Sequence, residues 1–441
     1  MNEIRKPDAV LARLILPQKL QPGILYIPSQ FVLPFSVNGR QYVFHMLTKQ
    51  CLEAELPNSA RVGEGFDPLI EAMFLVPEDR DECKYYESVS NMIRLFGKKN
   101  GIPSYTILPT LACNARCVYC YEEGMKQVTM TPEITEQTIR YILETRTKEP
   151  VTLKWFGGEP LLCPETIDRI CGALRDADVP FQSTIITNGS LLTAEILDKM
   201  LRRWNLVFTQ ISMDGAERDY IARKRYSHNS DQYHFVMDAV SRLSEAGIHT
   251  SIRCNVDEEN WDGIPQFLND LKQFVAHKEH VSLYLSPLLQ VRTGENDVAL
   301  WEKIRAARHL IVDAGFQPHG FMDPAMKFRA NRCLSDGGGV VICPDGGLFP
   351  CEQCPEQNRY GDVFNGVTNE KARYDFCRTD RTREKCRKCP FLPECTSFAS
   401  CPWKDTHCRE MHEMFTLDFL KRLVDCQNPE REPSDEPDFS C

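Results

Sequence analysis

Residues 111–124 read LACNARCVYCYEEG and directly follow a short β-rich run. They place Cys113, Cys117 and Cys120 at the spacing C-x3-C-x2-C, with no fourth cysteine or histidine close by in the sequence. Clustered cysteines in a reducing compartment ligate metals more often than they form disulfides, so the loop indicates a metal centre. Three protein ligands leave one position of that centre for something else.

On both sides of this loop, from residue 105 to 315, β-rich runs alternate with amphipathic helices. The predicted strands are YTILPTL, VTLKWFG, STIITNG, VFTQISMDG, HTSIRCNVD and VSLYLSPLLQV. Two apolar stripes at helical spacing are Ile167, Ile170, Cys171 and Leu174, and Ile264, Phe267, Leu268, Leu271 and Phe274. Six strand–helix units with short connections imply a parallel sheet, because parallel neighbours need a crossover helix. The expected fold class is α/β, a partial (β/α)6 TIM-like barrel where a closed barrel has eight units.

The composition restricts the class of protein. The chain has 441 residues, a formal net charge of −10 and no Lys/Arg-rich run, which argues against a nucleic-acid partner. The N-terminus MNEIRKPDAV lacks the apolar core of a signal peptide, and no apolar stretch approaches the roughly 20 residues of a membrane span. We therefore expect a cytoplasmic protein with no membrane partner. In that compartment 20 cysteines point to metal, ten of them between Cys333 and Cys408.

The three-cysteine loop follows the first predicted strand, where barrel enzymes place their active sites. Tight zinc binding usually draws four ligands or includes His, whereas a [4Fe–4S] cluster on three thiolates leaves one iron free. The stretch CNARCVYCY, with an aromatic residue before its last cysteine, resembles the signature of the radical S-adenosylmethionine (SAM) superfamily. The resemblance implies a [4Fe–4S] cluster on Cys113, Cys117 and Cys120, with SAM on the free iron. A structural zinc knuckle is the alternative.

Four further fragments resemble SAM-contacting strand ends of that superfamily. WFGGEP, ITNGS, QISMDG and IRCNVD occur in this order, each at the end of a predicted strand. The resemblance implies that the glycines permit close backbone approach to SAM. It also implies that Ser212 and Asp214 hydrogen-bond the ribose hydroxyls and that Arg253 faces the SAM carboxylate. The implied cofactor-binding residues are Gly157, Gly158, Glu159, Pro160, Thr187, Asn188, Ser212, Asp214 and Arg253.

The C-terminal cysteines resemble the SPASM extension of radical SAM enzymes, which holds two auxiliary [4Fe–4S] clusters. The resemblance assigns Cys386, Cys389, Cys395 and Cys408 to an outer cluster, and Cys333, Cys351 and Cys401 to an inner one. Between Cys395 and Cys401 the chain has TSFAS, five residues where the family usually has three. Cys343 and Cys354 are candidates for the inner cluster's fourth ligand, and Cys377 has no assigned role. A zinc ribbon is the alternative, although seven ordered cysteines exceed one tetrahedral zinc site.

Four domains follow. Residues 1–100 combine strand-like stretches (ILYIPSQFVLPF, RQYVFHML) with helix-like ones (DPLIEAMFLV, YYESVSNMIRLFG) and indicate a small N-terminal α+β domain. Residues 101–318 form the partial barrel. Residues 319–425 form a Cys-rich C-terminal iron–sulfur domain, in which periodicity fades and which we expect to be held by metal more than by an apolar core. Residues 426–441 are an acidic, Pro-rich tail expected to be disordered.

The resemblance also implies the reaction. An electron from a low-potential donor such as ferredoxin or flavodoxin cleaves SAM, and the 5′-deoxyadenosyl radical takes a hydrogen atom from the substrate. SPASM enzymes mostly modify peptides or proteins, and peptide maturases often capture a leader peptide with an N-terminal domain at a sheet edge. This favours a maturase that cross-links a ribosomally made precursor peptide through a thioether or a carbon–carbon bond.

Three alternatives stay open. A sulfatase-maturase-type enzyme would form formylglycine; such enzymes place an Asp after the cysteine that matches Cys351, where this chain has Glu352, the candidate catalytic residue. Radical chemistry on a small molecule is the second alternative. A non-enzymatic zinc-binding scaffold is the third.

Overall fold

The computed structural model describes residues 2–96, 100–120, 122–124, 126–227, 232–288, 297–318, 327–328, 338–352, 356–377, 384–394 and 408–426. The chain divides into two compact units. The smaller unit consists of Met1–Gly97, Met322–Arg332 and Arg378–Cys441. The larger unit consists of Lys98–Phe321 and Cys333–Cys377.

Strands and helices are numbered along the chain. The strands are β1 (Asn2–Arg5), β2 (Tyr26–Pro28), β3 (Val32–Val37), β4 (Arg40–His45), β5 (Cys51–Glu53), β6 (Leu75–Pro77), β7 (Ser104–Thr110), β8 (Val151–Gly157), β9 (Phe181–Thr187), β10 (Leu206–Ser212), β11 (His249–Val256), β12 (Val281–Pro287), β13 (Gln317–Pro318), β14 (Val340–Ile342), β15 (Gly347–Phe349), β16 (Gly361–Asp362) and β17 (Gly366–Val367). The helices are α1 (Ala9–Ile15), α2 (Asp67–Glu71), α3 (Glu82–Phe96), α4 (Pro132–Thr145), α5 (Pro164–Asp176), α6 (Ala194–Arg202), α7 (Glu217–Lys224), α8 (Gln232–Glu245), α9 (Ile264–Phe274), α10 (Asp297–Ala306), α11 (Arg308–Asp313), α12 (Glu370–Cys377), α13 (Glu384–Arg387) and α14 (Cys408–Cys426).

The smaller unit is an α+β structure around a four-stranded antiparallel sheet in the order β1-β5-β4-β3, with β2 and β6 paired separately. Its core joins the two ends of the chain, because Leu11, Phe31 and Phe44 cluster with Phe391 and Leu420. Residues more than 300 positions apart in sequence therefore share one buried core.

One helix prediction in this unit is wrong. The stretch DPLIEAMFLV forms a helix only over its first half, α2, and ends in strand β6. Met73 adopts a left-handed backbone conformation (φ 65°), which ends the helix. The apolar run that follows pairs with Tyr26–Pro28 of β2 and is buried as a strand.

The larger unit contains an eleven-stranded sheet in the order β13-β12-β11-β10-β9-β8-β7-β14-β15-β16-β17. Strands β7 to β12 lie side by side and parallel, in sequence order, and coincide with the six predicted strands. This confirms the α/β class with a large parallel sheet. The helices between the strands bury the predicted stripes, such as Ile167, Ile170 and Leu174 of α5, although Phe274 at the end of α9 is exposed.

The two faces of the parallel sheet differ. The hydroxyl of Tyr105 on β7 hydrogen-bonds Thr145 of α4 at 2.9 Å, so this face, called here the helix face, is covered by helices. Residues of β8 that share it, such as Leu153 and Trp155, are fully buried. The alternate residues Thr152, Lys154 and Phe156 are only partly buried and define the opposite, open face.

Part of the Cys-rich segment has ordinary apolar packing. Strand β14 extends the parallel sheet beside β7, and β15, β16 and β17 continue it as antiparallel strands. Val341 and Phe349 pack in an apolar cluster with Leu108 and Cys343. The short apolar runs of this segment therefore form strands, although its hydrophobic periodicity is weak.

No helix within the described ranges is long and apolar enough to cross a membrane.

Candidate functional site

The cysteine loop lies at the carboxyl-end edge of the parallel sheet, directly after β7. Its backbone is fixed by the end of α7: Arg116 N donates to the carbonyls of Lys224 (3.0 Å) and Arg225 (3.1 Å), and Val118 N donates to that of Arg223 (3.0 Å). The carboxyl ends of parallel strands meet at one edge, and α7 follows β10 there. The loop is thus clamped by a helix that starts about 100 residues later in the sequence.

The three thiols of this loop influence one another electrostatically. Burial raises the pKa of the Cys113 thiol to about 11, and the negative charges of Glu159, Cys117 and Cys120 act in the same direction. Thiolates that raise one another's pKa are stabilised by a cationic centre between them. The chemistry of the donor set therefore fits a metal centre.

Among the described residues, no group of three or more His, Cys, Asp or Glu is placed to hold a single metal ion.

Glu159 joins the ends of two strands. Its fully buried carboxylate accepts hydrogen bonds from Thr187 Oγ1 (2.7 Å), Asn188 N (2.8 Å) and Leu161 N (3.1 Å). Burial raises the Glu159 pKa, and these donors and Lys224 oppose that shift. Both carboxylate oxygens are therefore engaged by the protein itself, between the ends of β8 and β9.

The paired glycines before Glu159 have a visible packing reason. A Cβ on Gly157, whose φ is +112°, would overlap the carbonyl oxygen of Thr110, and one on Gly158 would overlap that of Ala112. The β8 end thus lies directly against the backbone that leads into the cysteine loop. Pro160 follows as the buried first residue of a short 3-10 helix, Pro160–Leu162.

Asn188, at the end of β9, reaches the cysteine loop. Its Nδ2 donates to Asn114 Oδ1 at 2.9 Å and lies 3.8 Å from Cys113 Sγ. Its Oδ1 accepts from the backbone N of Ser190 at 2.9 Å, which fixes the amide orientation. Asn188, a predicted SAM-contacting residue, thus lies beside a predicted cluster ligand.

A buried lysine that the sequence did not single out occupies the centre of this edge. Lys224 Nζ donates to Ser212 Oγ (2.7 Å) and to Tyr119 OH (2.9 Å), and lies 3.3 Å from Asp214 Oδ2. Tyr119 OH donates in turn to the Asp214 carboxylate. Burial alone would lower the Lys224 pKa, but the Asp214 carboxylate raises it well above its usual value, so the amine is charged. Ser212 and Asp214, predicted as ribose ligands, are thus both bonded to Lys224.

Arg253 stands on the open face, partly exposed. Its Nε donates to Asn255 Oδ1 at 3.0 Å, and its Nη2 donates to Ser286 Oγ at 3.3 Å. Asn255 also donates from Nδ2 to Asp214 Oδ1 at 2.9 Å. This bond connects Arg253 to the group of Lys224, Ser212, Tyr119 and Asp214, which is called here the Lys224 network.

The structure places some of the predicted auxiliary-cluster ligands and not others. Cys343 follows β14 in the larger unit, buried and disulfide-bonded, and Cys351 follows β15 half-buried. Cys386, Cys389 and Cys408 belong to the smaller unit, where Cys389 N donates to Cys386 O at 3.2 Å. Cys333, Cys354, Cys395 and Cys401 lie outside the described residues.

Residues 107–271 match the model of the Radical SAM superfamily. The matched segment carries the cysteine loop, strands β8 to β11 and the residues bonded around Lys224. This segment of the chain is therefore similar to radical SAM domains, and that family implies a [4Fe–4S] cluster and SAM as cofactors.

Two curated relatives extend the match beyond this domain. The chain is 23% identical to the radical SAM cyclopropyl synthase TigE of Paramaledivibacter caminithermalis over 341 residues, which cover 70% of each chain. It is 21% identical to the antilisterial bacteriocin subtilosin biosynthesis protein AlbA of Bacillus subtilis, over 65% of this chain and 64% of AlbA.

Solved structures share the fold. Native anSMEcpe with bound AdoMet and Kp18Cys peptide matches 73% of this chain and 99% of its own, with a TM-score of 0.57 and 17% identity. Streptococcus suis SuiB bound to precursor peptide SuiA matches 84% of this chain and 94% of its own, with a TM-score of 0.50 and 13% identity. Since residues 101–441 make up less than 84% of the chain, the second match extends into the first 100 residues.

Proposed function

We propose that this chain is a maturase that cross-links a ribosomally made peptide, through a thioether or a carbon–carbon bond. The observation that carries the proposal is the cysteine loop at the sheet edge, next to an open face lined by partly exposed polar side chains. The relation to AlbA, by its name a bacteriocin biosynthesis protein, supports a peptide as the substrate. SuiB, which shares the fold, is a protein whose structure contains a precursor peptide.

Different residues at the sheet edge are proposed to bind the cluster and SAM. Cys113, Cys117 and Cys120 bind the cluster, and Asn188 supports Cys113 from the side. Arg253 is partly exposed on the open face, where it would meet the SAM carboxylate. When bound, the cluster and SAM supply the 5′-deoxyadenosyl radical that removes a hydrogen atom from the substrate. The Lys224 network orients the loop and excludes water from beneath it.

The remaining cysteines are proposed to hold two auxiliary [4Fe–4S] clusters. The inner cluster takes Cys333, Cys351 and Cys401, with Cys343 or Cys354 as its fourth ligand, and the outer cluster takes Cys386, Cys389, Cys395 and Cys408. Cys343 qualifies only in its reduced state, because a disulfide sulfur is not a thiolate ligand. A low-potential donor such as ferredoxin or flavodoxin would deliver the electrons.

Residues 1–100 are proposed to recognise the leader of the precursor peptide. Their antiparallel sheet has β1 and β3 as its edge strands, and an unpaired edge can take up an extended peptide as a further strand. The match to SuiB over part of this region supports the proposal.

The test is an assay with a short Cys-containing peptide as the candidate substrate. Reconstituted enzyme, SAM and a reductant should yield a product lighter by two hydrogen atoms, with its thiol no longer alkylatable. The same mass loss with a free thiol would indicate a carbon–carbon bond instead. A product that reacts with a hydrazide would identify formylglycine, and no change in any peptide would contradict the proposal.

A further inference from the structure

The open face of the sheet carries positive charge that no strand residue balances. On β8, β9 and β10 the open-face residues are partly exposed, while their helix-face neighbours are buried. None of the strands β7 to β12 contains an Asp or Glu. The register places Lys154 and Arg253 on this face, together with neutral residues such as Gln210 and Tyr284. A ligand on this face therefore meets cations and hydroxyl or amide groups.

One carboxylate reaches Lys154 from outside the six strands. Glu352, which follows Cys351, places Oε1 3.6 Å from Lys154 Nζ, and the two side chains are 30% and 24% exposed. Within the described part of the chain, neither side chain makes a hydrogen bond; Lys154 otherwise lies over the ring of Phe156, 5.3 Å from its centroid. A long, partly solvated ion pair of this kind contributes little stability and exchanges readily.

We propose that Lys154 binds a carboxylate of the substrate peptide, and that Glu352 occupies this position until the peptide arrives. This inference rests on the proposed function. The substrate carboxylate is either an Asp or Glu side chain near the modified residue or the C-terminal carboxylate. The rest of the bound peptide holds this carboxylate close to Lys154, which gives it a high effective concentration there. It therefore displaces Glu352, whose own contact with Lys154 is long and weak. The displaced Glu352 is then free beside the substrate.

The proposal predicts opposite effects for the two members of the pair. Lys154→Met should weaken binding of the peptide about tenfold, since a charged hydrogen-bond donor is lost, and Lys154→Arg should restore most of it. Glu352→Gln should tighten binding about threefold, because the competing carboxylate is removed. Lys272→Met, which removes the same charge from an exposed position on helix α9, is the control and should leave binding unchanged.

The measurement is fluorescence anisotropy of the labelled candidate peptide on reconstituted, SAM-loaded enzyme without reductant, so that no turnover occurs. Three peptides separate the sources of the carboxylate: the unmodified peptide, one with Asp→Asn and Glu→Gln next to the modified residue, and one amidated at its C-terminus. The peptide that lacks the recognised carboxylate should bind wild-type enzyme about tenfold more weakly and be insensitive to Lys154→Met.

Four results overturn the inference. One is equal binding of all three peptides by wild-type enzyme. The second is weaker binding by Glu352→Gln, which would show that Glu352 contacts the peptide and does not compete with it. The third is a peptide that wild-type enzyme neither binds nor modifies, which also overturns the proposed function. The fourth is modification that does not depend on the carboxylates, which overturns only the inference.

Discussion

The ammonium of Lys224 lies 3.3 Å from the carboxylate of Asp214, and their side chains are only 2% and 0% exposed. The pair is hydrogen-bonded on both sides, by Ser212 and Tyr119 on the lysine and by Asn255 on the aspartate. Tyr119 belongs to the cysteine loop, so the pair connects that loop to the ends of β10 and β11.

Removing the charge of Lys224 should destabilise the larger unit. Lys224→Met leaves Asp214 buried without its partner, which costs about 3–5 kcal/mol of unfolding free energy. We expect a lower urea midpoint and a loss of iron from the cysteine loop. Arg202→Ala, which breaks the exposed Arg202–Asp198 pair, is the control and should change stability by less than about 0.5 kcal/mol. Equal effects of the two variants would contradict a structural role for Lys224.

A methyl group on Gly158 should displace the cysteine loop. In Gly158→Ala the new Cβ overlaps the Ala112 carbonyl, so the β8 end and the loop must move apart. We expect weaker SAM binding by isothermal titration and less iron per chain. Gly172→Ala is the matched control, because its Cβ meets nothing within 4 Å on helix α5, and it should be neutral or stabilise by about 0.5–1 kcal/mol. Unchanged SAM binding in Gly158→Ala would show that the contact is not needed.

Replacing Cys113, Cys117 and Cys120 together with Ala should abolish SAM cleavage. No His or Asp within the described loop can substitute for the thiolates. Three [4Fe–4S] clusters contain about twelve irons per chain, and the triple variant should retain about eight. Iron analysis and formation of 5′-deoxyadenosine provide the two measurements. A wild-type content near four irons, with zinc in addition, would make the C-terminal cysteines a zinc module.

The shared core of the smaller unit predicts that its two ends fold together. Leu11→Ala removes a fully buried side chain from the cluster that includes Leu420 and should cost about 2–5 kcal/mol. If Cys386, Cys389 and Cys408 hold the proposed outer cluster, the variant should also contain less iron. Leu14→Ala on the same helix is the control, since Leu14 is 40% exposed. If Leu11→Ala leaves the C-terminal iron intact, residues 1–97 fold as a separate module.

The same unit should lose stability in mild acid. Burial lowers the pKa of His45 to about 4, and its neutral ring accepts hydrogen bonds at Nδ1 from Leu47 N and Thr48 N. The unfolded imidazole binds a proton below about pH 6.5, whereas the folded one does not until about pH 4, so stability falls as the pH drops through this window. Between pH 7 and pH 5 the loss should be about 2 kcal/mol.

Hydrogen exchange of residues 40–53 measures this dependence locally. His45→Asn should lower the stability but flatten its change with pH, whereas His277→Asn, at an exposed ring, should keep the wild-type slope. Parallel slopes in all three proteins would assign the acid sensitivity to other groups.

The sequence by itself determined the features that depend on local patterns of a few neighbouring residues. The six parallel strands and the helix stripe of Ile167, Ile170 and Leu174 follow from periodicity, and the position of Cys113, Cys117 and Cys120 after β7 follows from their place behind an apolar run. It did not reveal that DPLIEAMFLV ends in a strand or that Val341 and Phe349 extend the sheet, because short apolar runs fit more than one structure.

The tertiary structure alone decided the contacts between distant segments. Tyr119 and Lys224 are 105 residues apart. The sequence of α7 is rich in charged residues, as in an exposed helix, but the folded chain buries Asp219, Arg223 and Lys224. Lys154 and Glu352, and Leu11 and Leu420, are equally remote in sequence. A buried charge is stable only beside the partner that the folded chain brings to it, and no local pattern specifies that partner.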